Sequence, residues 1–187
     1  MVKLNKIYTR TGDTGTSGLV DGSRISKASV RMAAIGDVDE ANAAVGVAIA
    51  ALGDDPMGEQ LRLIQNELFD LGADIATPGD VEGALRMVPA QVERLEQEID
   101  RMNADLEPLR SFILPGGSQA VAALHLARTV VRRAERSAVA LSQGGELNPH
   151  ALAYLNRLSD HLFVAARHLA ATSGGDVLWQ PGATRGG

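Results

Sequence analysis

Apolar residues recur every three to four positions in five stretches of the chain, and Gly- or Pro-rich breaks separate them. The first stretch runs from about Ser29 to Leu52, with Val38, Ala41, Val45, Ala48 and Leu52 on one stripe, and stops at Gly53-Asp54-Asp55-Pro56. The second runs from about Met57 to Ala76 on Leu61, Ile64, Leu68, Leu71 and Ile75, and Thr77-Pro78-Gly79 ends it. A loop follows to Met87. The third stretch starts near Pro89, a residue favoured in a first helical turn, and carries Val92, Leu95, Ile99 and Met102. Leu114-Pro115-Gly116-Gly117 breaks the pattern; Ser118 is an N-cap for a fourth helix that reaches about Leu141. Gly144-Gly145 breaks it again, and Pro149 opens a fifth helix that ends near Thr172. Residues 1–28 and the tail after Asp176 show no period and are expected to be irregular. The pattern predicts an all-α fold, a five-helix bundle with antiparallel-type neighbours joined by short connections. Its single domain covers residues 1–187: an N-terminal loop (1–28), the bundle (29–172) and a tail (173–187). The stripes are Ala-rich as well as Leu-rich, so the helices should approach closely.

Composition agrees. The chain has 187 residues, enough for one full core and short for two domains. Aromatic residues are only 3%, while good helix formers abound. A net charge of -5 argues against a general nucleic-acid binder and leaves room for a local basic site. Cysteine is absent, which excludes disulfides and thiolate metal sites. Met1-Val2-Lys3-Leu4-Asn5-Lys6-Ile7-Tyr8 contains no signal-peptide core, and no run of 18 apolar residues occurs. A cytoplasmic protein without membrane contact is the expectation.

Four segments hold candidate chemistry. Thr9-Arg10-Thr11-Gly12-Asp13-Thr14-Gly15-Thr16-Ser17-Gly18, followed by Lys27, combines turning glycines, hydroxyl donors and cations. It either cradles phosphates or is a flexible polar lead-in, and it is not a Walker loop. In the fourth helix, Arg128, Arg132 and Glu135 fall within about 40° of one line, beside the apolar stripe of Leu124, Ala127, Val131, Ala134 and Ala138. Arginines placed there need partners: an internal carboxylate such as Glu135 or Asp39, a bound anion, or solvent on a basic face. Asn156 sits inside the fifth helix, where Asn is a mediocre helix former, and implies a specific hydrogen bond. Asp37-Val38-Asp39-Glu40 do not share one face, so pairing with an arginine is expected there instead of a metal chelate. His161 and His168 read as helix-surface residues. There is no His-Glu-x-x-His, no nucleophile elbow and no dinucleotide fingerprint. The inventory suits binding a polyanion better than moving a proton.

In order along the chain stand Tyr8-Thr9-Arg10-Thr11-Gly12-Asp13-x-Gly15, Val38-Asp39-Glu40-x-Asn42, Phe112-x-Leu114-Pro115-Gly116-Gly117-Ser118, His125-x-Ala127-Arg128-x-x-x-Arg132-Arg133-Ala134-Glu135-Arg136 and Leu155-Asn156-Arg157-Leu158-Ser159-Asp160. This series resembles the PduO-type ATP:cob(I)alamin adenosyltransferases from Ile7 to about Trp179. The resemblance implies a homotrimer with interfacial active sites and an N-terminal loop that folds over ATP. It assigns Thr9, Arg10, Thr11, Gly12, Ser17, Gly18 and Lys27 to the nucleotide, with Arg132, Arg133, Ala134, Glu135, Arg136 and Asn156 from the helices. It pairs Arg128 with Asp39 across the subunit interface, and places Phe112, with Phe163 near it, against the lower corrin face. A core aromatic under the Gly-Gly turn is the other reading of Phe112. ATP and cobalamin are then the substrates. Mg²⁺ would be held by phosphate oxygens and water with no protein metal site. A reductase and an adenosylcobalamin-dependent acceptor enzyme are the implied protein partners. The other functional readings are a corrinoid carrier module and a non-catalytic ATP-binding helical trimer. The tail departs most from the pattern, ending Thr184-Arg185-Gly186-Gly187, with Trp179 as the candidate to take an aromatic role there.

Overall fold

In the computed structural model, which describes residues 7–144 and 147–185, the periodic stretches are α1 (Val30–Leu52), α2 (Met57–Ile75), α3 (Pro89–Asn103), α4 (Gln119–Ser142) and α5 (Pro149–Ala171). Each end falls within a residue of its sequence signal. The caps explain why. Ser29 accepts a hydrogen bond from the Met32 amide and Ser118 from the Val121 amide, so each hydroxyl satisfies an amide the first turn leaves open. Gln91 Oε1 accepts from the Val88 amide at 3.0 Å ahead of α3, and the Asn148 side chain caps α5. α1 ends at Gly53, whose φ of 62° reverses the chain.

α1, α2, α5 and α4 form a ring in which each helix packs on the next, and α3 lies on α5. The α1–α4 seam is built from small side chains: Ala34, Ala41, Ala48, Ala127, Ala134 and Ala138 are all fully buried. Larger side chains fill the centre, including Leu61, Ile64, Leu68, Leu71, Leu124, Leu155, Leu158 and Leu162. Each such burial is worth about 1.5–3 kcal/mol before chain entropy is charged against it.

Two polar groups of contacts lock the ring. Glu67 of α2 accepts from Arg94 of α3 and from the Tyr154 hydroxyl of α5 (2.6 Å), while Glu98 accepts from Arg94 and from His161 Nε2 (2.8 Å). His161 is therefore fully buried, contrary to the surface position expected for it; His168 is exposed as expected. His161 stands seven residues, about two turns, after Tyr154, on the same buried line, and the polar face of α3 covers it. At the end of α2, buried Asp74 accepts from Arg86 Nη1 (2.7 Å), the Met87 amide (2.8 Å) and Asn148 Nδ2 (2.7 Å). One carboxylate thus joins α2, the 76–88 loop and the start of α5.

The irregular N-terminal segment expected from the sequence is in part a hairpin, which also corrects the all-α expectation to a mostly helical fold. β1 (Thr16–Gly18) pairs antiparallel with β2 (Arg24–Ser26), matching Thr16 with Ser26 and Gly18 with Arg24. Strands of three residues are too short to show a period of two. Asp21 accepts from the amide and hydroxyl of Ser23 in the turn, and Gly22 has a φ of 83°. The Val20 amide donates to the Ala76 carbonyl (3.1 Å), docking the hairpin on the end of α2. The tail is not patternless either: Ile113 and Leu178 form an antiparallel bridge.

Candidate active site

The hairpin shapes the Thr9–Gly18 loop. Arg24 reaches across it and donates to the Thr11 carbonyl (2.7 Å), the Thr16 carbonyl (3.1 Å) and the Thr16 hydroxyl (2.9 Å). Thr9 and Thr11 share a hydroxyl hydrogen bond of 2.9 Å. Arg10 takes a φ of 63°, uncommon for a residue with a side chain, and its guanidinium lies 5.8 Å from the Tyr8 ring. The Lys27 amide donates to the Gly15 carbonyl, and its ammonium lies 3.1 Å from the point where a side chain on residue 12 would begin. Gly12 therefore leaves space for a cation over the loop. Thr9, Arg10, Thr11, Gly12, Ser17, Gly18 and Lys27 all fall in this one unit.

The helical candidates divide. Glu135 of α4 accepts from Asn156 Nδ2 of α5 at 2.9 Å, the specific bond expected of an Asn inside a helix. Arg136 donates to the Arg132 carbonyl at 3.0 Å. The Arg132 guanidinium is exposed and has no hydrogen-bond or ion-pair partner among the described residues. Arg133 faces α1, paired with Asp37 (3.2 Å) and Glu40, and Ser137 donates to Asp37 as well. Its fork is occupied within the chain. Ala134 is fully buried in the α1–α4 seam, so its side chain faces the core. Asp39 is exposed without a partner among the described residues, and Asn42 exchanges hydrogen bonds with Gln65 of α2.

A second cluster lies along α4 and α5. The Arg128 guanidinium stands 5.9 Å from the centre of the Phe163 ring, and its buried Nε has no hydrogen-bond partner. Burial and the nearby Arg132 lower its pKa. His125, one turn before Arg128, is buried at 6.3 Å from Phe163 with Nδ1 unpartnered. Burial and then Arg128 hold its pKa below the ordinary 6.5, so the ring is neutral at pH 7. Phe112 is 77% exposed, which overturns its reading as a core aromatic. Its ring packs edge-on to Trp179 at 6.0 Å.

Residues 7–169 match the family described as cobalamin adenosyltransferase. The chain belongs to that family. A corrinoid adenosyltransferase of Mycobacterium tuberculosis is 51% identical over 193 aligned positions, covering 98% of this chain and 97% of the relative. A cobalamin adenosyltransferase of Cupriavidus metallidurans is 50% identical over 181, covering 95% and 96%. The solved structure of a variant PduO-type ATP:corrinoid adenosyltransferase from Lactobacillus reuteri, complexed with cobalamin and ATP, superposes with a TM-score of 0.89 at 37% identity, covering 94% of this chain and 97% of that one.

For a member of the cobalamin adenosyltransferase family, several site-shaping residues were not visible as such in the sequence. Asp21-Gly22 was a readable hairpin signal, and with it Arg24 could have been placed opposite Thr16. His125 stood inside the matching α4 block and only its burial marks it. Asp176 and Arg167 form an ion pair of 2.9 Å between the tail and α5, a contact no local pattern announces.

Proposed function

We propose that this corrinoid adenosyltransferase moves the 5′-deoxyadenosyl group of ATP onto the cobalt of reduced cobalamin, Co(I), giving adenosylcobalamin and triphosphate. The observation that carries this is the near full-length identity of about half with corrinoid and cobalamin adenosyltransferases. Co(I) is itself the nucleophile: the cobalt–carbon bond forms as the C5′–oxygen bond breaks, and that bonding pair leaves on the triphosphate. No proton must be removed, so the protein has to align the reactants and stabilise charge on the leaving group.

The residues fit that demand. Lys27, Arg10 and the loop amides offer donors to the triphosphate, and Arg132 points an unused fork towards solvent. The Glu135–Asn156 bond fixes the polar surface beside it. Among the described residues no three His, Asp or Glu side chains gather to hold a metal, so Mg²⁺ would be carried on phosphate oxygens and water. Phe112, exposed and packed edge-on to Trp179, would cover the lower corrin face and keep water or a base off the cobalt. A four-coordinate Co(II) is then easier to reduce by one electron from a reductase.

A homotrimer with shared sites is part of this proposal. Met32, Ile35, Leu68, Phe69 and Ala73 line an apolar groove of about 540 Å³ on α1 and α2, with Asp39 at its edge and Phe69 71% exposed. An apolar groove with a bare carboxylate, and an arginine without an ion-pair partner on α4, suit a neighbouring copy. The test is spectrophotometric. Chemically reduced cobalamin plus Mg-ATP should convert to adenosylcobalamin with one triphosphate released per turnover. ATP binding without triphosphate release would make the protein a sensor and end the proposal.

A further inference from the structure

The residues flanking Phe112 belong to neither α3 nor α4, yet their backbone is held on both sides. The Leu114 amide donates to the Val177 carbonyl (2.7 Å), the Trp179 amide to the Phe112 carbonyl (2.8 Å), and the Ser111 hydroxyl to the Trp179 carbonyl (3.1 Å). Each of these partners lies in residues 177–179. The strap is anchored in turn. Arg167 of α5, only 9% exposed, donates through Nε to Asp176 (2.9 Å) and through Nη2 to the Glu107 carbonyl (2.9 Å). One guanidinium thus grips the start of the strap and the start of the segment that carries Phe112.

We infer that residues 176–179 are a positioning strap for Phe112, and that the Trp179 ring fixes the direction in which the Phe112 ring points. The inference rests on the corrin-facing role proposed for Phe112. An aromatic ring that is 77% exposed gets no direction from core packing. Its ring contact is the edge-on one with Trp179, at 6.0 Å and 63°, within the favourable range for aromatic pairs. Covering the core does not explain the strap, because Val177, Leu178 and Trp179 are themselves 44%, 52% and 44% exposed. What the strap supplies is preorganisation: the backbone at residues 111–114 is set before any corrin arrives, so little freedom is lost on binding. Trp179 is a positioning residue here, acting through Phe112.

The test compares Trp179→Ala, Trp179→Phe and Phe112→Ala in the full chain, using Co(II)alamin with Mg-ATP. Electron paramagnetic resonance reads the four-coordinate fraction. Trp179→Ala should cut that fraction by more than half. It should slow turnover starting from Co(II) by about tenfold, within the range for an ångström-scale misplacement. ATP affinity should stay unchanged, and Trp179→Phe should restore the signal. If Phe112→Ala removes the four-coordinate species while Trp179→Ala leaves it intact, the strap inference is overturned and the role of Phe112 survives. If neither substitution changes it, the role of Phe112 fails and the strap role falls with it. A loss that Trp179→Phe does not restore, or that comes with weakened ATP binding, indicates general damage and also overturns it. Trp179 is the only tryptophan, so the wild-type chain gives a second reading. Saturating cobalamin should shorten its fluorescence lifetime, and an unchanged lifetime would place the corrin elsewhere.

Discussion

Arg132 and Arg133 are adjacent in α4 and point in different directions. A step of about 100° turns Arg133 to the carboxylates Asp37 and Glu40 of α1 and leaves Arg132 bare. Arg132→Ala should therefore lower kcat/KM by about 10- to 100-fold, the scale of one lost charge-assisted contact, with thermal stability unchanged. Steady-state kinetics beside a melting curve checks both halves. Arg133→Ala should show the reverse emphasis, because its fork ties two helices. Two other groups contribute to the response to acid. Burial alone would raise the Glu98 carboxyl, but hydrogen bonds from His161 and Arg94 outweigh it and hold the pKa below 4.5. Burial and Arg128 depress His125 below 6.5. In both cases the folded pKa lies under the unfolded one, so the contribution is complete above the unfolded value and lost as pH falls through the folded value. Stability should decline in two stages, the first below about pH 6.5 from His125 and the second below about pH 4.5 from Glu98. Denaturant titrations from pH 8 to 3 read this, and His125→Gln should erase the first stage alone.

At the scale of elements, the five helices were legible because stripes, caps and breakers agree over fifteen or more residues. The hairpin was not, because β1 and β2 are three residues each and are held by side chains such as Arg24 and Asp21. The same contrast divides the site. Glu135 and Asn156 lie on long helices, and their pairing follows from helix phase. The Phe112–Trp179 contact joins residues far apart in the chain and has no periodic signature. The burial of His161 has no local signal, because it depends on how α3 packs on α5, and Glu98 of α3 is the partner that makes it tolerable. The loop over Lys27 has exposed threonines and little packing of its own, so nucleotide should tighten it. Limited proteolysis should show residues 7–27 protected by Mg-ATP, and equal cleavage with and without it would count against a nucleotide role for the loop.

For the whole molecule, Asp39 and Arg128 each lack an ion-pair partner within the described chain, on α1 and α4. In a trimer they are expected to meet across copies. Substituting each alone should weaken assembly in sedimentation, and the double variant should cost less than the sum of the two, with a coupling of about 0.5–3 kcal/mol; strict additivity would rule the pairing out. A different whole-chain property follows from Asp74. Its partners Met87 and Asn148 lie 13 and 74 positions away, so the node can close only after α5 has found α2. It should be absent from the folding transition state and act afterwards as a latch, in a chain with no cysteine to provide a covalent one. Asp74→Asn would then leave the refolding rate nearly unchanged and speed unfolding, by an amount reflecting most of the roughly 3–5 kcal/mol lost when a buried ion pair is broken. On that account the lifetime of the folded state hangs on one buried carboxylate, at the same end of α2 on which the N-terminal hairpin docks.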